Sequence, residues 1–255
     1  MEESHKILFY KNYKFSFLTR NGGFSKNSFE SLNCSFNKGD SIESVKKNKA
    51  LVQRVFCSKK KIILMNQIHS SKVVFIDKNK TPIYKADAMI SNRNDITLGV
   101  LTADCAPIII LGNNFFGIIH AGWRGTLDGI IEKALNIMLK KGESEKNISI
   151  FVGPHLKKDS FEVKNDFLNN LKKSNIKVDK YISKLDENYF FDFTKLLANK
   201  IKSFKLKKFS ISNIDTFSNP KDYFSHRYYI KKGIKNCGRQ ISLVSIKDKD
   251  ENSFR

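Results

Sequence analysis

The sequence predicts an α+β (mixed α/β) fold, with mixed β-sheets flanked by helices in a single domain. Its 255 residues suit one domain of this size. Short apolar segments typical of strands occur beside amphipathic helices, without the regular alternation of a doubly wound sheet. No internal repeat or Pro/Gly/Ser-rich linker divides the chain. We therefore expect one domain over residues 1–246 and a polar, frayed tail over 247–255.

The first half of the chain is predicted to consist mainly of strands. Short apolar runs at residues 7–10, 15–19, 61–65, 73–76 and 97–102 indicate them. One helix is predicted between them, over residues 41–56, because its apolar residues recur at helical intervals. Ser41 is its expected N-cap, since a Ser side chain can accept a hydrogen bond from the first turn.

The second half combines a predicted hairpin with further helices and strands. Two apolar strands, 108–111 and 115–120, flank Gly112-Asn113. An amphipathic helix is expected over residues 126–141, with Thr126 as N-cap and Gly142 as its C-terminal stop. The remaining expected elements are helices at 167–173 and 193–204 and strands at 148–152, 208–212 and 241–246.

Composition excludes several functional classes. No window is apolar enough to span a membrane, and the start lacks the features of a signal peptide, so a cytoplasmic protein is expected. The formal net charge of +21 could attract phosphate-bearing molecules. However, the excess is almost entirely Lys, spread along the chain without a nucleic-acid motif. A nucleic acid is therefore not the expected partner, and no GxGxxG or Walker loop indicates a nucleotide cradle.

Cysteine and histidine residues indicate a metal site. The four cysteines are far apart and form no CxxC pair, which argues against a disulfide framework or a zinc ribbon. If Gly112-Asn113 is a two-residue hairpin turn, Cys105 lies directly opposite His120 on the neighbouring strand, close enough to share one ion. A three-residue turn would instead pair Cys105 with Ala121.

His69 is the expected third ligand, because it lies in a turn between two apolar strands. Two His and one Cys around zinc leave a fourth position open, as in catalytic sites. Two other interpretations remain open. The three side chains could be a buried Cys with two hydrogen-bonded His, or Cys105 could be a thiolate nucleophile activated by His120. The last would suit a hydrolase or amidase acting on a peptide-like substrate such as a cell-wall precursor.

Several motifs resemble those of the YfiH-like, laccase-domain family. The most specific is His120-Ala121-Gly122-Trp123-Arg124-Gly125, which follows Thr102-Ala103-Asp104-Cys105-Ala106-Pro107. Weaker matches occur in order along the chain: Arg20-Asn21-Gly22-Gly23-Phe24-Ser25, Ser31-Leu32-Asn33, Gln67-Ile68-His69, Ala86-Asp87-Ala88, Gly153-Pro154, Phe224-Ser225-His226-Arg227 and Gly238-Arg239. The resemblance covers about residues 15–246.

The resemblance implies a zinc enzyme acting on purine nucleosides. Zinc would be held by His69, Cys105 and His120, and the reactions would be phosphorolysis of adenosine, inosine and methylthioadenosine and deamination of adenosine. Older descriptions of the family give copper and polyphenol oxidation, but multicopper chemistry needs more His ligands than five scattered residues provide. The chain departs from the family pattern at Asp215, where a Cys is usual, and at His226 and Tyr228.

Candidate roles follow for the residues around the expected metal. Asp104 would relay a proton or orient a ligand histidine, and Arg124, beside a helix N-terminus, would hold phosphate. Arg20 and Arg227 are weaker phosphate candidates. Asn33 and Asp87 would bind ribose or base, although such residues often form turns instead. The expected partners are thus a purine nucleoside and phosphate; the preferred purine, and a monomer versus a homodimer, stay open.

Overall fold

The computed structural model describes residues 6–36, 39–57, 59–77, 84–172 and 178–248. It confirms the predicted mixed α and β class. The strands are β1 (Leu8–Tyr10), β2 (Tyr13–Phe17), β3 (Lys61–Ile63), β4 (Val73–Ile76), β5 (Ala88–Ser91), β6 (Ile96–Thr102), β7 (Ala106–Leu111), β8 (Phe116–Ala121), β9 (Ser149–Val152), β10 (Glu162–Val163), β11 (Ile182–Leu185), β12 (Asn188–Phe191), β13 (Lys208–Ile211) and β14 (Gln240–Ile246). The helices are α1 (Ile42–Cys57), α2 (Trp123–Leu127), α3 (Ile130–Lys140), α4 (Asn165–Lys172), α5 (Phe193–Lys202) and α6 (His226–Lys231).

Two mixed sheets form the centre of the protein. One has five strands in the order β1-β2-β14-β6-β3, and the other has six in the order β13-β9-β7-β8-β5-β4. The strands β10, β12 and β11 form a third, smaller sheet, which shares an apolar cluster with the six-stranded sheet. In both large sheets parallel and antiparallel pairs occur together: β3 runs parallel to β6, whereas β14 is antiparallel to both of its neighbours.

The two large sheets pack face to face, and helices cover their outer faces. Alternate residues of one strand point to opposite sides, so Ile109 packs toward the five-stranded sheet while Ile108 packs toward α3 and α5. Leu243 of β14 lies in the outer cluster under α1, and Val244 lies between the sheets. This layering explains why β7 and β8 are buried on both faces. No helix among the described residues is long and apolar enough to cross a membrane.

The hairpin between β7 and β8 has a different register from the one predicted. Gly112 and Phe115 close the turn and Asn113-Asn114 form its tip, so Pro107, not Cys105, lies opposite His120. The Glu143 carboxylate accepts hydrogen bonds from the backbone N–H groups of Asn113 (2.8 Å) and Asn114 (2.9 Å). A residue 30 positions away therefore holds the turn, and no local turn rule includes that contact.

The helix predicted over residues 126–141 is two helices. Gly129 adopts a left-handed backbone (φ 83°) between α2 and α3, and Thr126 lies inside α2, where its hydroxyl donates to the Gly122 carbonyl instead of capping. Two other boundary predictions are confirmed: Ser41 accepts a hydrogen bond from the Ser44 N–H, and Gly142 (φ 92°) follows the end of α3. The strands β5, β10, β11 and β12 and the helix α6 were not predicted.

The expected frayed tail is ordered at its start. Lys247 donates its backbone N–H to the Asn12 carbonyl, and the Asp248 carboxylate pairs at 3.1 Å with both Lys14 and Lys60, which are buried. Buried ammonium groups need a paired anion, so residue 248 belongs to the folded structure. Residues 249–255 of the predicted tail lie outside the described residues.

Candidate metal centre and its cavity

The structure brings His69, Cys105 and His120 together. Their potential ligand atoms all lie within 4.8 Å of one another, and the two imidazole rings are 4.8 Å apart between centroids, nearly perpendicular. His120 is on β8, Cys105 immediately precedes β7, and His69 lies in the segment before β4. The three residues predicted as ligands therefore lie together, although the hairpin register that was expected to pair Cys105 with His120 is wrong.

Two residues with left-handed backbones direct the loops to this point. His69 has φ 57° and Asp104, directly before Cys105, has φ 88°. Residues other than Gly seldom adopt such values, and each costs about 1–2 kcal/mol. Hydrogen bonds stabilise both conformations: the His69 N–H donates to Asp87, and the Asp104 carboxylate accepts from Thr216 and Arg227.

Asp87 connects two of the three candidate ligands. Its carboxylate accepts hydrogen bonds from the backbone N–H groups of Ile68, His69 and Ser70, from the Ser70 hydroxyl, and from Nδ1 of His120 at 2.9 Å. The bond to Nδ1 leaves the other ring nitrogen of His120 available as a ligand. Asp87 is fully buried and does not line the cavity. The structure therefore places this predicted substrate-binding residue behind the ligands, in the orienting position expected of Asp104.

Electrostatics favours a thiolate beside an imidazolium. Burial raises the pKa of the Cys105 thiol, but the His120 and His69 rings outweigh burial and bring that pKa down to about 6 from an ordinary 9.0. Burial lowers the pKa of His120, but the Cys105 thiolate and Asp87 raise it to about 9. A thiolate is the form in which cysteine binds a metal or acts as a nucleophile.

The donor set fits zinc. One thiolate and two imidazoles are typical zinc ligands at about 2.0–2.3 Å, and three protein ligands leave a fourth position for water or substrate. Gly122 leaves room for the cluster: a Cβ at that position would lie 3.2 Å from His69 Cδ2 and 3.4 Å from Cys105 Sγ. A side chain at residue 122 would therefore press on two ligands at once.

The cluster lies in a cavity of about 560 Å³. Besides the cluster itself, the walls come mainly from the segment after β3, the end of β6, α2, the loop before β10, α6 and the residue before β14. The lining residues beyond the three candidate ligands are Ser35, Met65, Asn66, Gln67, Leu101, Ala103, Asp104, Trp123, Arg124, Leu156, Phe161, His226, Arg227 and Arg239. The volume suits a ligand the size of a nucleoside.

Three arginines give the cavity a positive wall. The Arg124 guanidinium lies 4.3 Å from the Trp123 ring and has no hydrogen-bond acceptor among the described residues. Arg227 donates through Nη1 to the Glu162 carbonyl at 2.7 Å, and Arg239 donates through Nη1 to the Cys237 and Gly238 carbonyls. Each arginine therefore retains N–H donors that no described protein group accepts.

Asp104 connects the Cys105 loop to α6. Its carboxylate accepts hydrogen bonds from the Thr216 hydroxyl and from the backbone N–H of Arg227, both at 2.7 Å. Burial raises the pKa of Asp104, although hydrogen bonds from Ser225, the Arg227 N–H and Thr216 act in the opposite direction. Within the described part of the chain, the Asp104 carboxylate makes no hydrogen bond to His69 or His120. Its position makes it a support for Arg227.

Two predicted binding residues lie away from this cavity. Arg20 is buried against the Phe224 ring and donates to the Glu30 and Pro220 carbonyls and the Tyr229 hydroxyl. Asn33 is also buried, and its side chain bonds Asp40, Ser35 and the Arg239 N–H. Asn33 thus acts on the cavity through the backbone of Arg239, whereas Arg20 holds the loop that ends at Leu32 (Leu32 N–H to Arg20 carbonyl, 2.6 Å).

Two of the residues that depart from the family pattern, Asp215 and His226, lie in different surroundings. Asp215 accepts hydrogen bonds from Phe217 and Ser218 in its own loop and from Lys157 and Ser160, so it connects that loop to the segment after β9. His226 lines the rim of the cavity, where burial and the Arg239 guanidinium lower its pKa. His226 therefore adds a neutral imidazole to the opening at neutral pH.

Sequence reasoning missed Gln67 and Arg239 as site residues. Both belong to motifs that carried the resemblance, Gln67-Ile68-His69 and Gly238-Arg239, but neither has a type or spacing that indicates a role by itself. Phe161 also lines the cavity, under the Arg227 guanidinium at 5.6 Å. Only the folded chain brings these positions next to residues 69, 105 and 120.

Comparisons with known proteins find relatives in sequence and in fold. A family model described as multi-copper polyphenol oxidoreductase laccase matches residues 14–247. A purine nucleoside phosphorylase of Aquifex aeolicus is 43% identical over 136 residues, which are 51% of this chain and 65% of that protein. One of Bacteroides thetaiotaomicron is 26% identical over 254 residues, 93% of both chains.

Solved structures share the fold. A Neisseria meningitidis protein of the DUF152 family superposes with a TM-score of 0.84 at 24% identity, over 96% of this chain and 100% of that one. The YfiH protein of Bacillus licheniformis, described as hypothetical, gives a TM-score of 0.82 at 22% identity, over 92% and 93% of the two chains.

Proposed function

The chain belongs to the multi-copper polyphenol oxidoreductase laccase family, and we propose that it is a zinc-dependent purine nucleoside phosphorylase. Its substrates would be adenosine, inosine or methylthioadenosine together with phosphate. Adenosine deamination is proposed as a second activity of the same centre. The names of the similar curated proteins support the phosphorylase part of this proposal.

One observation carries the proposal: unpaired guanidinium donors and a His–Cys–His cluster share one nucleoside-sized cavity. Phosphate is a mixture of monoanion and dianion near neutral pH, and arginine binds it with paired N–H groups. Arg124 is the best-placed residue, since stacking on Trp123 orients its guanidinium without using its donors. Arg227 and Arg239 would complete the positive surroundings.

Phosphorolysis exchanges one bond at the sugar for another. A phosphate oxygen bonds to C1′ of the ribose while the C1′–N9 bond breaks, and its electron pair leaves with the purine, which takes up a proton. A bound zinc would supply Lewis-acid polarisation and, for deamination, an activated water. Asp87 would keep both histidines in place, and Asp104 would hold α6 so that Arg227 faces the phosphate.

A second candidate function rests on the lowered pKa of Cys105, about 6. A thiolate beside an imidazolium is the arrangement of cysteine hydrolases, so an amidase acting without a metal is the alternative. Metal content separates the two: a zinc-free protein whose Cys105 is rapidly alkylated would favour the amidase. Copper-dependent phenol oxidation is supported only by the family's description, because one three-ligand cluster among the described residues is too small for a multicopper centre.

The test of the proposal is product formation by zinc-loaded protein. With adenosine or inosine and phosphate, we expect free base and ribose 1-phosphate; with adenosine but no phosphate, we expect only inosine. Chromatography of the bases in parallel reactions measures both activities. Zinc-loaded protein that released neither adenine, hypoxanthine nor inosine would refute the proposal.

The Arg124→Met variant is expected to have a weakened phosphate interaction. Removing the guanidinium should raise the KM for phosphate about 10- to 100-fold, since a charge-assisted pair is worth about 1.5–3 kcal/mol. Because Met retains an apolar stem over Trp123, the fold and the zinc content should not change. Initial rates at varied phosphate give the KM. Arg93→Met is a matched control: Arg93 pairs with exposed Asp95 outside the cavity and should leave the KM for phosphate unchanged.

A further inference from the structure

Gln67 lies where the chain leaves one sheet for the other. Strand β3 pairs in parallel with β6 only from Lys61 to Ile63, where Ile63 lies opposite Leu98. Three residues later the backbone turns to the segment before β5: the Asn66 N–H donates to the Tyr84 carbonyl at 2.9 Å. The backbone of this segment therefore makes no pairing with the end of β6, which leads to Cys105.

The Gln67 side chain supplies the missing pairing. Its Nε2 donates to the Leu101 carbonyl and its Oε1 accepts from the Leu101 N–H, both at 2.8 Å. The primary amide thus pairs with Leu101 as a neighbouring peptide group would. We propose that these two hydrogen bonds between Gln67 and Leu101, the Gln67 clamp, are a positioning device for the metal centre, because they fix the His69 segment to β6, the strand that leads to Cys105. The inference rests on the zinc site of the proposed function.

With the clamp, every pair of candidate ligands is connected by a separate link. Asp87 connects His69 to His120, through three backbone N–H groups and a ring nitrogen. Pairing of β7 with β8 connects His120 to the strand that follows Cys105. The remaining link is the Gln67–Leu101 pair. Gln67 is two residues before His69, and Leu101 is four residues before Cys105, so this pair connects His69 to Cys105. Removing the Gln67 side chain breaks the link between His69 and Cys105 and leaves the other two links in place.

Loss of the clamp should weaken zinc binding more than it weakens the fold. Two backbone groups of Leu101 lose their partner at the edge of a cavity that water can enter, which limits the effect on folding. The separation of His69 and Cys105, in contrast, loses its direct constraint. Substitutions of groups that orient metal ligands typically reduce metal affinity about 10- to 100-fold, and we expect an effect of that size.

The experiment measures zinc affinity by competition with a chromophoric chelator, and stability by thermal unfolding of the metal-free protein. Gln67→Met keeps the length of the side chain and removes both hydrogen bonds. Gln53→Met is the matched control, because Gln53 also donates its amide to backbone carbonyls, those of Cys57 and Lys60, but outside the cavity. We expect a 10- to 100-fold loss of zinc affinity for the first variant and less than about a twofold change for the second.

A conservative variant tests whether zinc affinity follows the number of hydrogen bonds to Leu101, which a general structural role of Gln67 would not predict. In Gln67→Glu, one carboxylate oxygen can still accept from the Leu101 N–H, while the other faces the Leu101 carbonyl. Its zinc affinity should therefore fall between those of the wild type and Gln67→Met. Equal zinc affinity in wild type and Gln67→Met would overturn the clamp alone. Wild-type protein that takes up no zinc would overturn the metal centre, and an inactive protein with the expected affinities would instead contradict only the phosphorylase proposal.

Discussion

The Cys105→Ala variant is expected to lose its zinc and to turn over purine nucleosides at least about 10³-fold more slowly than the wild type. The thiolate is the only anionic member of the His–Cys–His cluster, so two imidazoles alone would hold zinc weakly. A 10³-fold loss corresponds to about 4 kcal/mol of transition-state stabilisation, within the range attributed to a metal Lewis acid. Elemental analysis and a phosphorolysis assay measure the two effects.

The fold should tolerate this change. Cys105 is only partly buried and belongs to none of the apolar clusters, so the free energy of unfolding of the metal-free protein should change by less than about 1 kcal/mol. Cys34→Ala provides the opposite control. Cys34 is buried under α1, so its loss should reduce stability while zinc content and turnover persist. Retention of a full equivalent of zinc by Cys105→Ala would contradict the proposed ligand set.

The Asp87→Asn variant is expected to combine a loss of zinc affinity with a loss of stability of about 2–4 kcal/mol. An Asn side chain has the same shape, but its NH₂ group would face N–H donors that now point at a carboxylate. A buried donor left unsatisfied costs about 1–3 kcal/mol, and several donors converge here. Denaturant unfolding of the metal-free protein measures the stability loss.

The contribution of Asp87 should depend on pH with a definite sign. Burial raises the pKa of this carboxyl, but hydrogen bonds from His120 and Ser70 outweigh burial and bring the pKa to about 2, below the ordinary 3.8. A carboxyl whose pKa is lower in the folded state stabilises the protein above the unfolded pKa and ceases to do so as the pH falls. The part of the Asp87 contribution to stability that depends on its negative charge, about 2 kcal/mol, should be complete above pH 5. It should fade as the pH falls from about 4 to 2.

The comparison that decides this prediction is the difference in unfolding free energy between the wild type and Asp87→Asn at a series of pH values. It should be constant from pH 7 to 5 and shrink toward pH 2. Asp222→Asn is a suitable control, because Asp222 bonds the exposed Asn21 amide far along the chain from the cluster. A difference that grew on acidification would contradict the assignment of Asp87 as a charged acceptor.

Sequence patterns predicted the fold class, most long elements and the three clustered side chains. These succeeded because β7, β8 and α1 have strong local periodicity and because thiol and imidazole groups have distinctive chemistry. Patterns failed where a distant residue decides the local conformation. Glu143 sets the register of the β7–β8 turn, and Gly129 divides a helix whose apolar periodicity is continuous.

The roles of Asp87 and Asp104 show the same limit inside the site. Its position beside Cys105 suggested that Asp104 would relay a proton or orient a ligand histidine, and Asp87 was expected to bind ribose or base. In the folded chain Asp87 bonds His120, 33 residues away, and Asp104 bonds the backbone of Arg227, 123 residues away. Such partners depend on which loops meet at the sheet ends, and a single sequence does not contain that information in readable form.

The order of strands in the five-stranded sheet also bears on how the protein is made. Its central strand, β14, lies between β2 and β6 but comes from residues 240–246, far later in the chain than either neighbour. During translation the two early strands therefore stay unpaired along those edges until β14 has emerged from the ribosome. Exposed strand edges invite misassociation, so this segment of synthesis is the interval in which a nascent chain would depend most on chaperones.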